Sequence, residues 1–264
     1  MDLQLMDKKA LVTGSTAGIG FAIASLLAQE GASVVVNGRS QGRVEEAVRR
    51  IKKENKDAQV TGVAADLGTK EGVEVLTRAV PALDILVNNL GIFEAKPFSD
   101  IPDEDWLRFF EVNVLSGVRL SRFYLPGMLQ KNWGRVVFIS SESGVNIPVE
   151  MIHYGVTKTA QIALARGLAE TTAGTNVTVN SVLPGPTRSE GVEQFVQDMA
   201  KGQGGDEGAV EKEFFRSVRP SSLLKRFATP EEVAALVVYV CSPRASATNG
   251  AALRVDGGVV RSIV

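Results

Sequence analysis

The sequence holds few residues suited to thiol or metal chemistry. Its 264 residues include one cysteine, Cys241, and one histidine, His153. A lone cysteine excludes an internal disulfide and a cysteine-rich metal site. A lone histidine argues against a histidine-built metal site or a Ser-His-Asp triad, so no metal is expected. An excess of one charge is also missing: 29 basic and 30 acidic residues leave a net charge of −1. With neither a basic stripe nor an aromatic stacking platform, no nucleic-acid partner is expected. No apolar run reaches about 18 residues, the length that would span a bilayer, so no membrane partner is expected. The opening "MDLQLMDKKA" lacks the charged-then-apolar pattern of a secretory signal. The expectation is a soluble, cytoplasmic protein. What remains is ordinary globular material, 44% hydrophobic, and long enough to bury a real core.

Seven short apolar runs recur along the chain: "KALVTG" (9–14), "ASVVVNGR" (32–39), "QVTGVAAD" (59–66), "LDILVNN" (83–89), "GRVVFISS" (134–141), "NVTVNSVLPG" (176–185) and "AALRVDGG" (251–258). Most are rich in Val, Ile and Leu with little polar alternation, as strands buried on both faces are. Helix-like segments separate them. "FAIASLLAQEG" ends on Gly31, a C-cap residue. "TPEEVAALVVYVCS" opens on Thr229, with Pro230 at the first helical position and Glu232 three residues on, a capping box. This alternation without a linker predicts a single α/β domain over 1–264, a doubly wound parallel sheet with helices on both faces.

Residues 189–220 stand apart. The segment "SEGVEQFVQDMAKGQGGDEGAVEKEFFRSVRP" is charged and interrupted by "GQGG". It reads as two short helices with a mobile joint. It falls just beyond the carboxyl end of a strand, where open α/β sheets bind ligands, so it is read as a lid over a substrate pocket. Phe195, Phe214 and Phe215 offer an apolar contact there, and Arg188, Arg216 and Arg219 an anionic one.

Where the first strand hands over to the first helix, the chain reads "TGSTAGIG". Gly14, Gly18 and Gly20 permit a tight turn and let a ligand approach the backbone. Free amides and the positive end of the helix then attract a diphosphate. A lone glycine turn is a weak signal, because tight helix–strand packing also calls for glycine. Two further residues share one helix face: Tyr154 and Lys158, four apart in "YGVTK". A tyrosine ordinarily titrates near 10. A neighbouring ammonium favours the phenolate, so the expectation is a lowered pKa and a proton that tyrosine can give or take.

These residues together resemble the short-chain dehydrogenase/reductase family. Thr13 to Gly20 match its T-G-x-x-x-G-I-G fingerprint, "NNLG" (88–91) stands for N-N-A-G, and Tyr154 and Lys158 form Y-x-x-x-K. Ser141 lies 13 residues before Tyr154 (154 − 141), the family's spacing, and "DGG" (256–258) closes the last strand. The resemblance runs over nearly the whole chain and is nearest to 3-oxoacyl-acyl-carrier-protein reductase-like members. It implies a Rossmann-type fold and hydride transfer between a nicotinamide and a carbonyl or secondary alcohol. It implies that Ser141 holds the substrate oxygen, Tyr154 moves the proton, Lys158 binds the nicotinamide ribose and Asn113 holds a relay water. It places the cofactor against Gly14, Ser15, Thr16, Gly18, Ile19, Gly20, Asp66, Leu67, Asn89, Gly91, Pro184, Gly185 and Thr187. Leu90, where the family has alanine, alters packing beneath the nicotinamide ribose. Ser140 is a rival to Ser141 that only spacing separates. Glu142 and Ser143 are candidates to line the pocket. His153, roughly 100° round the helix from Tyr154, is read as a helix-start or pocket-rim residue.

NAD-preferring members carry an aspartate at the end of the second strand. Here the strand ends "VVVNGRS". Arg39 offers a guanidinium to an adenosine 2′-phosphate, and Ser15, Thr16 and Asn37 could add hydrogen bonds. NADP(H) is therefore expected, with NAD(H) possible because "GSTAG" holds no basic residue. An NADP pool kept reduced favours ketone reduction. The stretches "WLRFFEVNVLSGVRLSRFYLPGML" and "TKTAQIALARGLAE" are apolar enough to pair between copies, and the resemblance implies a homotetramer. The alternatives are an NAD-dependent alcohol dehydrogenase, a nicotinamide-nucleotide sensor or scaffold without chemistry, and a lyase or epimerase on the same fold.

Overall fold

The computed structural model describes residues 1–189 and 207–263. Seven strands form one sheet: β1 (Lys9–Val12), β2 (Ser33–Gly38), β3 (Val60–Ala64), β4 (Ile85–Asn88), β5 (Gly134–Ile139), β6 (Val177–Pro184) and β7 (Ala252–Val255). Their spatial order is β3-β2-β1-β4-β5-β6-β7 and every neighbouring pair is parallel. The chain runs outward from β1 to β3, then returns to place β4 beside β1. That reversal opens a crevice at the carboxyl ends of β1 and β4.

The sheet's two faces explain why its strands lack polar alternation. Ala10 and Val12, Val34 and Val36, Ile85 and Val87, and Val137 and Ile139 point to one core. That core is covered by α1 (Gly18–Gln29), α2 (Gln41–Glu54) and the late helix α8 (Pro230–Cys241). The residues between them, Leu11, Val35, Leu86, Val136 and Phe138, point to a second core under α3 (Lys70–Ala79), α5 (Ser116–Gln130) and α6 (Ile152–Glu170). Each fully buried Val, Leu or Phe contributes roughly 1.5–3 kcal/mol, so both faces stabilise the sheet.

The punctuation read from sequence is present. Gly31 follows the α1 C-cap with φ +89°, a left-handed backbone that glycine adopts without strain. Thr229 Oγ1 accepts from the Glu232 amide at 3.3 Å, and Glu232 Oε2 accepts from the Thr229 amide at 2.9 Å, closing the capping box. Cys241 is a small core residue whose thiol burial pushes up to about 12. One element was not anticipated. α4 (Asp103–Phe110) runs into α5 through a π-helical turn, Glu111–Leu115, and such single turns inside helices occur frequently at functional sites.

In the segment read as a lid, α7 spans Glu207–Ser217. Phe214, Phe215 and Phe227 pack on one another with ring centroids 5.0–5.1 Å apart. Phe195, the "GQGG" joint and the first expected helix lie outside the described residues. Among the described residues no helix is long and apolar enough to cross a membrane.

Candidate active site

The turn after β1 is held by Thr13, whose Oγ1 accepts from the backbone amides of Asn89 and Leu90, each at 2.9 Å. Asn89 Nδ2 donates back to the carbonyls of Thr13 (2.9 Å) and Gly14 (3.1 Å). The turns after β1 and β4 are thus one unit. Gly14 and Gly18 have φ +60° and +55°. A Cβ on Gly20 would lie 2.5 Å from both the Gly14 carbonyl oxygen and Asn89 Nδ2, so nothing larger fits. Ala17 gives α1 no side-chain cap, which leaves its first amides without a side-chain acceptor. Ile19 turns onto the core. This cradle fits a diphosphate.

Two residues expected to touch a phosphate have their side chains engaged inside the protein. Ser15 is fully buried; its Oγ donates to the Val12 carbonyl at 2.6 Å and accepts from the Asn37 amide at 3.0 Å. Asn37 Oδ1 accepts from the Gly14 amide at 3.2 Å, and Nδ2 donates to the carbonyls of Val63 and Ala65 at 3.2 and 3.1 Å. They shape the cradle from behind. Thr16 sits over Gly38, where a Cβ would meet Thr16 Cγ2 at 2.6 Å. Arg39 is exposed just past β2 and makes no ion pair among the described residues. Asp66 is exposed, its Oδ1 accepting from the Gly68 amide at 3.0 Å, whereas the Leu67 side chain is core. Leu90 packs against that same core and over Gly14, whose added Cβ would lie 3.6 Å from Leu90 Cδ1.

Gly91 carries the β4 turn to the second half of the site. A Cβ there would lie 3.3 Å from Lys158 Nζ and 3.5 Å from Asn113 Oδ1. Asn113 sits in the π-helical turn and is buried. Its Oδ1 accepts from the Ile92 amide at 2.8 Å, and its Nδ2 donates to the Ile92 carbonyl and Thr157 Oγ1, both at 3.0 Å. Lys158 Nζ donates to the Ile139 carbonyl at 2.9 Å and to Gln161 Oε1 at 3.1 Å. Gln161 Nε2 donates to the Asn113 carbonyl at 2.5 Å. Gln161 was not anticipated; the available signal was an amide three residues past Lys158, on the same side of the helix.

Tyr154 lies one turn before Lys158, whose Nζ is 5.6 Å from the tyrosine ring centroid. Phe93 meets that ring edge-on, with centroids 6.3 Å apart. The expected lowering of the Tyr154 pKa is not found in the chain itself. Burial pushes it up to about 12, with the Glu142 charge adding to the rise and the Ser141 hydroxyl and the Arg219 charge opposing it. Lys158 is shifted the other way for the same physical reason: burial pulls that amine down to about 7. The two serines also separate. Ser140 Oγ donates to the Lys158 carbonyl at 2.7 Å and serves α6, whereas Ser141 Oγ accepts from the Ser143 amide at 3.1 Å and faces Tyr154. His153 starts α6 as expected but is not at a rim. It is fully buried against Phe109 (4.1 Å) and Trp106 (6.0 Å), and burial lowers its pKa.

The carboxyl ends of β6 and β7 close the far side. Pro184 ends β6, and a Cβ on Gly185 would lie 2.4 Å from the Asp256 carbonyl oxygen. Thr187 Oγ1 donates to the Gly185 carbonyl at 2.9 Å, and Thr187 bridges to Ala228. The arginines expected to receive an anion are each paired with acids: Arg188 with Glu211 (3.6 Å), Arg216 with Glu213 (2.8 Å), and Arg219 with Glu142 (3.1 Å) and Glu150 (3.0 Å).

A family model described as enoyl-(acyl carrier protein) reductase matches residues 14–260. The chain is 51% identical to the uncharacterized oxidoreductase YvaG of Bacillus subtilis, over 100% of both chains. It is 34% identical to the 3-oxoacyl-[acyl-carrier-protein] reductase of Aquifex aeolicus, over 98% of this chain and 100% of that one. The crystal structure of L-sorbose reductase from Gluconobacter frateurii, complexed with NADPH and L-sorbose, superposes with a TM-score of 0.94 at 33% identity, over 100% of both chains.

Proposed function

The chain belongs to the short-chain dehydrogenase/reductase family, whose members are oxidoreductases, and from that premise we propose an NADP(H)-dependent enzyme that interconverts a carbonyl compound and its secondary alcohol. One observation carries this reading. The uncapped glycine turn and the Tyr154–Lys158 pair face one crevice, joined through Asn89 on Gly14 and Gly91 beside Lys158.

The residues present fit the cofactor. Gly14, Thr16, Gly18, Ile19 and Gly20 would bind its diphosphate through backbone amides, with Ser15 and Asn37 bracing the turn. Arg39 would hold the 2′-phosphate. Asp66 and the Leu67 backbone would border the adenine. Asn89, Gly91, Tyr154 and Lys158 would hold the nicotinamide ribose, and Pro184, Gly185 and Thr187 would border the ring. When bound, the nicotinamide gives or takes the hydride.

The chain's own groups handle the proton. Ser141 Oγ positions the substrate oxygen, and Tyr154 Oη donates a proton to it on reduction or withdraws one on oxidation. A phenol held near 12 is protonated at neutral pH, which suits donation to a ketone. Lys158, near 7, can supply or accept the replacing proton. The Asn113–Gln161 pair fixes the ammonium in place. Leu107 on α4 and Phe123 on α5 are exposed apolar side chains, which supports pairing of copies into the homotetramer expected of a cytoplasmic member of the family.

Purified protein tests the reading. Tyr154→Phe should keep NADPH binding, measured by fluorescence titration, and lose ketone reduction by about 100-fold or more. Undiminished turnover in the variant would refute the acid/base role; unchanged signalling without turnover would favour the sensor.

A further inference from the structure

Glu142 follows Ser141 directly and is buried, with 3% of its surface exposed. Its Oε1 accepts from Arg219 Nε at 3.1 Å. Its Oε2 is buried with no hydrogen-bond partner among the described residues. A buried carboxylate oxygen without a donor is costly to keep, and burial accordingly raises the Glu142 pKa, opposed by Arg219. A fold keeps such an atom where something else completes it.

The surroundings say what that is. Arg219 also donates from Nη1 to Glu150 Oε1 at 3.0 Å. One guanidinium therefore serves two carboxylates, and with both carboxylates ionised the cluster holds one negative charge in excess. Ser141 is the N-cap of the turn Glu142–Gly144, so the cluster is built onto the same turn as the serine that faces Tyr154; its charges also act on the Tyr154 phenol, Glu142 raising its pKa and Arg219 lowering it. A wall of this kind offers a hydrogen-bond acceptor and repels an anion. Arg188 and Arg216 are paired with Glu211 and Glu213, so neither is set to receive a substrate carboxylate.

Resting on the hydride-transfer reading of Tyr154, we propose that Glu142 determines substrate specificity: Oε2 accepts a hydrogen bond from a substrate hydroxyl close to the reacting carbon. The substrate is then a neutral hydroxylated ketone, or the polyol formed from it, and not an oxo acid. Glu150 and Arg219 act behind Glu142 as positioning residues.

The test is NADPH-dependent reduction of dihydroxyacetone, acetone and acetoacetate by the wild-type protein, Glu142→Leu and Glu142→Gln. The wild type should prefer dihydroxyacetone to acetone in kcat/KM. Glu142→Leu should shrink that preference by about 10–100-fold, the worth of one hydrogen bond to a charged group. Glu142→Gln keeps an acceptor oxygen and removes the charge. It should retain more of the preference and gain on acetoacetate. An unmoved ratio in Glu142→Leu, or a wild-type preference for acetoacetate, overturns the assignment. If Glu142→Leu does not fold, Glu142→Gln decides, and no gain on acetoacetate counts against the proposal. Tyr154→Phe separates the two readings. If it stays active the acid/base reading of Tyr154 fails, and if it is inactive while the Glu142 ratios do not move, the substrate class alone fails.

Discussion

Gln161 Oε1 accepts a hydrogen bond from Lys158 Nζ at 3.1 Å while its amide donates to the Asn113 carbonyl at 2.5 Å. A neutral amide thus ties the ammonium to the π-helical turn. It is a positioning residue, and its effect should appear in the pH dependence of kcat. Gln161→Leu removes an acceptor from the charged amine, so the pKa governing turnover should fall. Gln161→Glu adds a carboxylate, so it should rise. Shifts of about half a unit to one unit in opposite directions are expected. A merely structural role would lower kcat in both variants without separating their profiles.

Lys158 itself is a stability liability. Burial lowers its pKa from 10.5 to about 7. Between these values the unfolded chain binds a proton that the folded chain lacks, so folded-state stability rises with pH across that window. At or below pH 7 the full penalty applies, on the order of a few kcal/mol. Lys158→Met should therefore be more stable than the wild type at pH 7 in denaturant unfolding. The gap should narrow by more than half by pH 9.5. A gap constant with pH would mean that packing, and not the buried charge, sets it.

On the proposed reading, Arg39 sets the preference for NADP(H). Arg39→Asp replaces a donor for the 2′-phosphate with a group that repels it. NADPH affinity should fall by about 10–100-fold, the worth of one charge-assisted hydrogen bond. NADH affinity should hold or improve. Fluorescence titration of both nucleotides at low and high salt checks this, and the NADPH advantage should shrink as salt screens the contact. Equal binding of the two nucleotides by the wild type would make Arg39 a solvated surface residue.

Much of this arrangement was readable from the residues because it depends on local chemistry. All seven apolar runs became strands, since continuous Val/Ile/Leu is what a sheet with two cores demands. Gly31, Thr229 and Glu232 were legible because caps need particular side chains at fixed offsets. What escaped was set by distant contacts. Nothing near Ser15 or Asn37 in sequence says that the Ser15 hydroxyl accepts from the Asn37 amide 22 residues away, or that the Asn37 side chain braces the backbones of Gly14, Val63 and Ala65. Arg219 sits 77 residues from Glu142, so its pairing was invisible and it was read as an anion receiver. The direction of the Tyr154 shift was missed for a related reason. Proximity to lysine was legible, but the burial that lowers the lysine and raises the phenol was not.

The glycines make the last prediction, because the same substitution should have opposite effects at two sites. A Cβ at Gly20 would lie 2.5 Å from the Gly14 carbonyl oxygen and from Asn89 Nδ2. Neither can retreat, since Asn89 is tied to Thr13 and the carbonyl belongs to the turn. Gly20→Ala should destabilise the chain by about 1–3 kcal/mol through overpacking and weaken NADPH binding well beyond that of a surface variant. Gly42, near the start of α2, has nothing within 4 Å of an added Cβ. There alanine relieves the backbone entropy of glycine, and Gly42→Ala should stabilise by roughly 0.4–1 kcal/mol with NADPH binding unchanged. Thermal unfolding with and without NADPH reads both effects. If Gly20→Ala kept the wild-type ligand-induced rise in Tm, the cofactor would not lie against that turn.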